Sequence, residues 1–448
     1  MTAGVAPDPI DPPDPLAVGA GNAVLVRGDA STVNGARCIR LGEGEPQPLE
    51  TAGDTWWSLL EVPASQPLGL SALTPEPGSE LARTTLLRDV PTPADIGPPA
   101  DPGGDGPLVA ICMATYEPDP ARLAAQLDSI RSQTHRRWVC VISDDASSPE
   151  GLAAIGSQIE GDPRFVLSHA TDNSGFYGNF ERAMAMAPPD ADLVQLADQD
   201  DVWRRDKLER MIAVLDGHPE AVLAYSDMRV VDGEGGVVSD TFWYESENAC
   251  EDIGTLLIVN TVFGVASLFR RELLDAVLPL PPAFSDQHYH DHWVALCARA
   301  TGEIVFLDEP TYDYVRHTES VTMTDNTGWA PPSESALSRV RLTVGRLGRR
   351  AHLALAPGAW RTAYLDRYLT IRQFALVLQL RFGERMTPAQ RRSVHRVITA
   401  DRSPISLGWL LLRTLRPLLG HRETLGRERV LVGAVVWRRL AGLRRPRA

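Results

Sequence analysis

The chain has 448 residues, an ordinary globular share of apolar residues (44%) and a net charge of −14. Its length allows two or three domains. No run reaches the roughly 18 apolar residues of a membrane-spanning helix, and the N-terminus lacks the basic start and apolar core of a secretory signal, so a cytoplasmic protein is expected. Residues 331–448 hold 24 arginines, no lysine and 6 acids, which leaves about −32 on the first 330 residues. Such a split predicts a basic segment with its own anionic partner. The acidic body of the chain is one candidate. An anionic membrane surface is the other, and would place the protein peripherally on the inner face of the cell membrane. Nucleic acid is not expected, because no recognised binding module accompanies the arginines. The five cysteines are odd in number and include no Cys-x-x-Cys pair, a pattern that predicts buried, reduced thiols.

In chain order, residues 1–20 are rich in proline and aspartate and are expected to be disordered. From 21 to 90, short apolar runs alternate with Gly/Pro turns, which predicts a small β-rich module. Trp56 and Trp57 within it either pack the module or present a sugar-binding face. "PTPADIGPPADPGGDG", 91–106, has the composition of a linker. From 107 to 330 the pattern becomes α/β. "PLVAICMATY", "RWVCVISDDAS", "RFVLSHA" and "ADLVQLADQDD" are predicted strands. Between them, "DPARLAAQLDSIRSQ" places Leu123, Leu127 and Ile130 at helical spacing, and "GNFERAMAMA" is also helical. Alternation of this kind predicts a doubly wound, mainly parallel sheet, which binds ligands at the carboxyl ends of its strands. Thr115 and Tyr116, Asp144 and Asp145, and Asp198, Asp200 and Asp201 all fall at such ends. Residues 331–448 read as arginine-rich helices.

The chemistry concentrates in "DQDDVW", Asp198 to Trp203. Like carboxylates this close repel unless a cation or partner offsets them. Asp198 and Asp200 are suited to a hard divalent ion, Mg²⁺ or Mn²⁺, whose other ligands are phosphate and water. Asp201 alternatively caps the following helix.

With these motifs in order, the stretch from about Pro107 to Thr322 resembles the inverting family 2 glycosyltransferases and their GT-A fold. "VAICMATYEP" resembles the nucleotide-contacting first strand. "VISDDAS" resembles an Asp-Asp-x-Ser element, with Ala146 where the family favours Gly. "NSGFYGNFERAM", with Asn173 and Asn179, resembles the Asn-x-Gly…Asn segment. "DQDDVW" is similar to the metal motif of a rhamnosyltransferase-like branch. "TVFGVASLFRREL" resembles the acceptor-side segment at Gly264, and "HDHW" the segment holding the catalytic aspartate. "YVRHTESVT" keeps His317 of a Tyr-Arg-Gln-His segment, with Val315 and Arg316 altered.

The resemblance implies a hexosyltransferase acting on a dTDP- or UDP-linked sugar, with a glycan or lipid-linked acceptor in cell-envelope polysaccharide synthesis. Rhamnose is the sugar the branch suggests, and galactofuranose or another hexose is the alternative. Thr115, Tyr116, Asp144, Asp145, Asn173, Asn179 and Asp198 would bind the sugar nucleotide. Asp198, Asp200 and His317 would hold the metal. Gly264, His290 and Trp293 would line the acceptor side, and Asp291 would be the general base. Its place just before the helical run "HWVALCARA" offers Asp291 a helix N-cap role instead. The rival class is a non-catalytic sugar-binding or scaffold protein, which the N-terminal module favours.

Overall fold

The structure, a computed structural model, describes residues 10–11, 21–33, 35–42, 44–52, 55–62, 69–76, 82–86, 102–243, 247–316, 357–419, 421, 423–424 and 426–443. Its N-terminal part is two small sheets. Strands β1 (Ile10–Asp11), β2 (Asn22–Asp29), β5 (Glu50–Ala52) and β6 (Thr55–Val62) form one, in the order β1-β2-β6-β5. Strands β3 (Cys38–Leu41), β4 (Gln47–Pro48), β7 (Gly69–Glu76) and β8 (Ala82–Leu86) form the other, in the order β4-β3-β7-β8. Thus a piece of the segment expected to be disordered pairs with β2, Ile10 opposite Gly28. The rest of 1–20, and 91–101 of the expected linker, lie outside the described residues.

Side-chain alternation explains how this small module holds together. Val24, Val26, Ile39, Leu41, Trp56 and Leu60 are buried as one cluster. Ala23, Leu25 and Trp57 point the other way and join the main core, where Trp57 meets Tyr364 edge-on at 5.9 Å. Both tryptophans are therefore buried packing residues, and neither presents an open sugar-binding face.

The main sheet runs β11-β10-β9-β12-β16-β14-β17-β13. Its strands are β9 (Val109–Thr115), β10 (Trp138–Asp144), β11 (Phe165–His169), β12 (Leu193–Ala197), β13 (Val202–Trp203), β14 (Ala221–Asp232), β16 (Ser267–Arg270) and β17 (Glu303–Arg316), with β15 (Val237–Ser239) beside β14. β9 pairs in parallel with both β10 and β12, and β16 is antiparallel to its two neighbours. Every residue of β10 is buried, as the unbroken apolar runs require of strands covered on both faces. Helices α1 (Pro120–Arg131), α2 (Pro149–Ile159), α3 (Gly175–Ala185) and α4 (Lys207–Gly217) make the crossovers. α1 begins where Asp119 accepts from the N–H groups of Ala121 and Arg122, with proline in the first turn. α5 (Ile253–Ile258), α6 (Leu274–Val277) and α7 (His290–Thr301) lead to the far side of the site. The expected α/β sheet, N-terminal β region and C-terminal helices are all present.

The chain winds from β9 outward through β10 to β11, then returns to place β12 on the opposite side of β9. That reversal opens a crevice at the carboxyl ends of β9 and β12. Thr115 and Tyr116 end one of those strands and Asp198 follows the other.

C-terminal helices α8 (Pro357–Thr362), α9 (Leu369–Phe382), α10 (Pro388–Ile398), α11 (Pro404–Arg413) and α12 (Arg427–Leu443) join the main core, α9 packing on β2 and α7 and α10 on α5, with one π-helical segment at Ala363–Tyr368. Many of their arginines find partners inside the chain. Buried Glu50 of β5 lies 2.6 Å from both Arg402 and Arg438 and 3.5 Å from Arg372. Burial alone would raise the Glu50 carboxyl, but the three guanidinium groups pull it below its ordinary value. Arg413 reaches Asp252 of the catalytic part at 3.1 Å. Among the described residues no helix is long and apolar enough to cross a membrane.

Candidate active site

The strand ends are built first, by side chains that satisfy one another. Asp144 accepts from Thr115 Oγ1 (3.0 Å), Ser147 Oγ (2.6 Å) and the Ser147 N–H (3.0 Å), and lies 2.7 Å from His169 Nδ1. It is fully buried. Asn179 donates to the Thr115 carbonyl at 3.0 Å. Thr115, Asp144 and Asn179 were expected to touch the sugar nucleotide; their side chains instead shape the edge from within, because each is buried with its donors or acceptors turned inward. Asp145 follows on the same turn. Its Oδ1 accepts from the N–H and hydroxyl of Ser174, both at 2.8 Å, and its carbonyl accepts from Asn173 at 3.1 Å. Ala146, next in line, has φ +62°. A side chain there is strained, which gives the physical reason a glycine is favoured at this position.

Tyr116 stands at the lip with 51% of its surface exposed. Its backbone is locked to the acidic loop. The Tyr116 N–H donates to Gln199 Oε1 at 2.9 Å, and Gln199 Nε2 donates back to the Tyr116 carbonyl at 3.2 Å. Gln199, between the two candidate metal carboxylates, thus staples both sides of the crevice. The sequence reading passed over it, although an amide between two acids was a signal that could have been weighed.

The acids themselves converge. Burial, then the charges of Asp200 and Asp291, push the Asp198 carboxyl up to about 7. Asp291, 93 positions further along the chain, is therefore an electrostatic neighbour of Asp198. It sits in the first turn of α7, whose N-cap is Tyr289, so it does not cap that helix. Instead its Oδ2 accepts from the Gly264 N–H at 3.2 Å, while its buried Oδ1 has no partner among the described residues. Burial pushes Asp291 up to about 6 against that hydrogen bond. Gly264 has no room for a side chain: an added Cβ would stand 3.0 Å from His290 Nε2, 3.1 Å from Asp291 Cβ and 3.3 Å from Leu196 Cδ1.

Three expectations are corrected by packing. Trp293 is wholly buried and donates to the Val277 carbonyl at 2.9 Å, so it belongs to the core rather than the acceptor side. His290 is buried and stacked on Phe180 with centroids 3.7 Å apart, and burial pushes it down to about 3, so it is a neutral packing group. Asp201 does not cap α4, whose first residue follows Asp206; it is buried beneath the loop. His317 lies outside the described residues.

The sequence reading also passed over Lys207. This single lysine of the chain is fully buried, with Nζ 4.3 Å from the Trp203 ring centroid and 4.4 Å from that of Tyr312. Its charge lies beside Asp201 and Asp198, and burial pushes it down to about 7. The acidic loop fits a hard divalent cation: Asp198 and Asp200 are half-buried residues flanking one position, and a buried oxygen of neighbouring Asp201 lacks a partner among the described residues. A second group, Glu247, His421 and Glu423, brings ligand-type atoms within 4.8 Å of one another, but Glu423 is already held by Arg416 at 2.8 Å.

A crevice at the switch point of a mainly parallel sheet, with an acidic loop on one lip and the buried carboxylate Asp291 in its electrostatic neighbourhood, is the candidate active site of this GT-A-type fold. Residues 110–278 match the family described as Glycosyl transferase family 2. An uncharacterised glycosyltransferase of Nostoc is 26% identical over 202 residues, covering 44% of this chain and 61% of that protein. TuaG of Bacillus subtilis, named as a teichuronic acid biosynthesis glycosyltransferase, is 31% identical over 109 residues, 24% of this chain and 41% of its own length. The chain thus spans less than two thirds of these relatives. Among solved structures, S. aureus TarS 1-349 in complex with UDP-GlcNAc aligns with TM-score 0.43 at 18% identity, covering 75% of this chain and 90% of that one. A mannosyltransferase from Pyrobaculum calidifontis in complex with GDP-Man and Mn²⁺ aligns with TM-score 0.39 at 18% identity, covering 79% and 90%.

Proposed function

We propose that the chain is an inverting, metal-dependent glycosyltransferase that moves a sugar from a nucleotide-diphosphate donor to a hydroxyl of a glycan or lipid-linked acceptor. The observation that carries this reading is the meeting of Asp198 and Asp291 in one buried electrostatic neighbourhood, at a sheet edge suited to nucleotides. Asp291 acts as the base: its carboxylate takes the proton of the acceptor hydroxyl as that oxygen bonds to the anomeric carbon. The bond from that carbon to the diphosphate breaks on the opposite face, and the bonding pair leaves with the diphosphate. Gly264 fixes one Asp291 oxygen, which leaves the other for the proton. Mg²⁺ or Mn²⁺ held by Asp198 and Asp200, with His317 as the ligand the resemblance adds, would offset charge on the leaving diphosphate. Tyr116, Asp145 and Asn173 border the donor. The kinship with a protein named for teichuronic acid biosynthesis supports a cell-envelope polymer as product. The "DQDDVW" motif favours dTDP-rhamnose as first donor to try.

A panel of dTDP-, UDP- and GDP-sugars with and without Mn²⁺ tests this reading, since ligands of the folded state raise its melting temperature. Stabilisation by one of them only with metal, followed by transfer or slow hydrolysis of that donor, is expected. Stabilisation by free sugars alone, with no turnover, would favour the binding-protein class.

A membrane role for the C-terminal region rests on a different observation. Ile405, Leu411, Leu412, Leu415 and Leu419 are exposed along α11 and the turn after it. Their face would rest on an anionic bilayer, as a peripheral enzyme with a lipid-linked acceptor requires. Absence of flotation with anionic vesicles at low salt would remove this reading.

A further inference from the structure

Lys207 is a fully buried charged side chain within the site that the mechanism above leaves unused. Its neighbours are informative. Nζ donates to the Val265 carbonyl at 2.6 Å, and Gln195 Nε2 of β12 donates to the same oxygen at 2.9 Å. Val265 belongs to the single 3₁₀ turn Gly264–Ala266. The preceding residue of that turn, Gly264, holds Asp291 by its N–H. The charge of Lys207 also acts on those of Asp201 and Asp198. Two aromatic rings, Trp203 and Tyr312, close around it, so it has no freedom to relocate.

We propose that Lys207, on α4 just after the acidic loop, is a positioning residue that anchors, through the Val265 carbonyl, the turn that aims Asp291. The inference rests on the transferase reading and deepens it. The physical reason for a lysine here is its reach: a four-carbon stem carries one point charge with three donors from α4 across the core. An uncharged apolar residue of the same length would leave the Val265 carbonyl with one donor and Asp201 without a counter-charge. The turn would then be free to shift, and shifts on the order of 1 Å in a reacting group can cost about a hundredfold in rate.

The test compares wild type, Lys207→Met, Lys207→Gln and the pair Lys207→Met/Asp201→Asn, each checked for folding by its melting curve. The pair removes the buried charge together with its partner, so it remains informative if the single methionine variant fails to fold. At saturating Mn²⁺ the expected result is a split. For a folded methionine variant kcat falls by about a hundredfold while the donor KM stays within about threefold, since the donor-bordering residues are untouched. The glutamine variant, which keeps a donor near the Val265 carbonyl, recovers at least about tenfold of that loss. Calorimetric binding of the free nucleoside diphosphate with Mn²⁺ stays close to wild type in all folded variants. A folded methionine or paired variant with near-normal kcat would overturn the inference, as would a glutamine variant no better than methionine, or a loss confined to KM. If the wild type itself neither binds nor turns over any sugar nucleotide, the transferase reading fails instead, which separates the two.

Discussion

Asp291→Asn probes the link between burial and catalysis most directly. Burial lifts the carboxyl from 3.8 to about 6. About two units at about 1.4 kcal/mol each correspond to roughly 3 kcal/mol by which the ionised carboxylate disfavours the fold at neutral pH. The sign follows from proton binding. Folded Asp291 holds its proton more tightly than the unfolded chain does, so the penalty is full above about pH 6 and fades as the pH falls towards 4. Asparagine removes the charge and can still accept from Gly264. Its amide N–H groups, however, meet the position where Oδ1 has no partner, which costs about 1 kcal/mol. Partial solvent contact of the residue screens the electrostatic gain further. The net expectation is a variant more stable than wild type by about 1 kcal/mol near pH 8, with the advantage gone near pH 5, and with kcat lowered about a hundred- to ten-thousandfold. Melting curves at the two pH values and nucleoside diphosphate release supply the readouts. A variant less stable at both pH values would refute the burial argument, and transfer within tenfold of wild type would refute the base assignment.

Three further outcomes are expected. Asp200→Ala should abolish the dependence of nucleotide binding on Mn²⁺, measured calorimetrically; equal affinity with and without metal in the wild type would count against the metal role. Ala146→Gly should raise stability by roughly 0.5–1 kcal/mol, the relief of a left-handed alanine less the extra chain entropy of glycine; an unchanged or lower denaturant midpoint would contradict it. Glu50→Ala should destabilise by about 3–5 kcal/mol, because three arginines lose one buried counter-charge. Its effect should shrink as the pH falls through the lowered Glu50 value, since stability from a depressed carboxylate is present above the unfolded value and lost below the folded one.

The sequence by itself determined the local pieces. Unbroken apolar runs such as "WVCVIS" read as strands covered on both faces, and the spacing of Leu123, Leu127 and Ile130 read as a helix. The order of strands and helices therefore declared the sheet, and the resemblance declared its family. Polar residues at strand ends were legible as a functional edge because strand polarity is local. Which of those residues face outward was not legible. Thr115, Asp144 and Tyr116 look alike as strand-end groups in one dimension, yet the first two are consumed by Ser147 and His169 and by each other, and Tyr116 alone stands open. Trp293 and His290 look like site residues beside Asp291, but helical periodicity turns them into the core. The roles of Lys207 and Gln199 were not legible because their partners, Val265 and Tyr116, lie 58 and 83 positions away. Likewise, 24 arginines after residue 330 announce an anionic partner. Only the packing of the C-terminal helices shows that part of that partner lies within the chain, where Arg372, Arg402 and Arg438 meet Glu50, Arg372 also meets Asp401 and Arg413 meets Asp252, because pairing depends on distance in space and not on charge count along the chain.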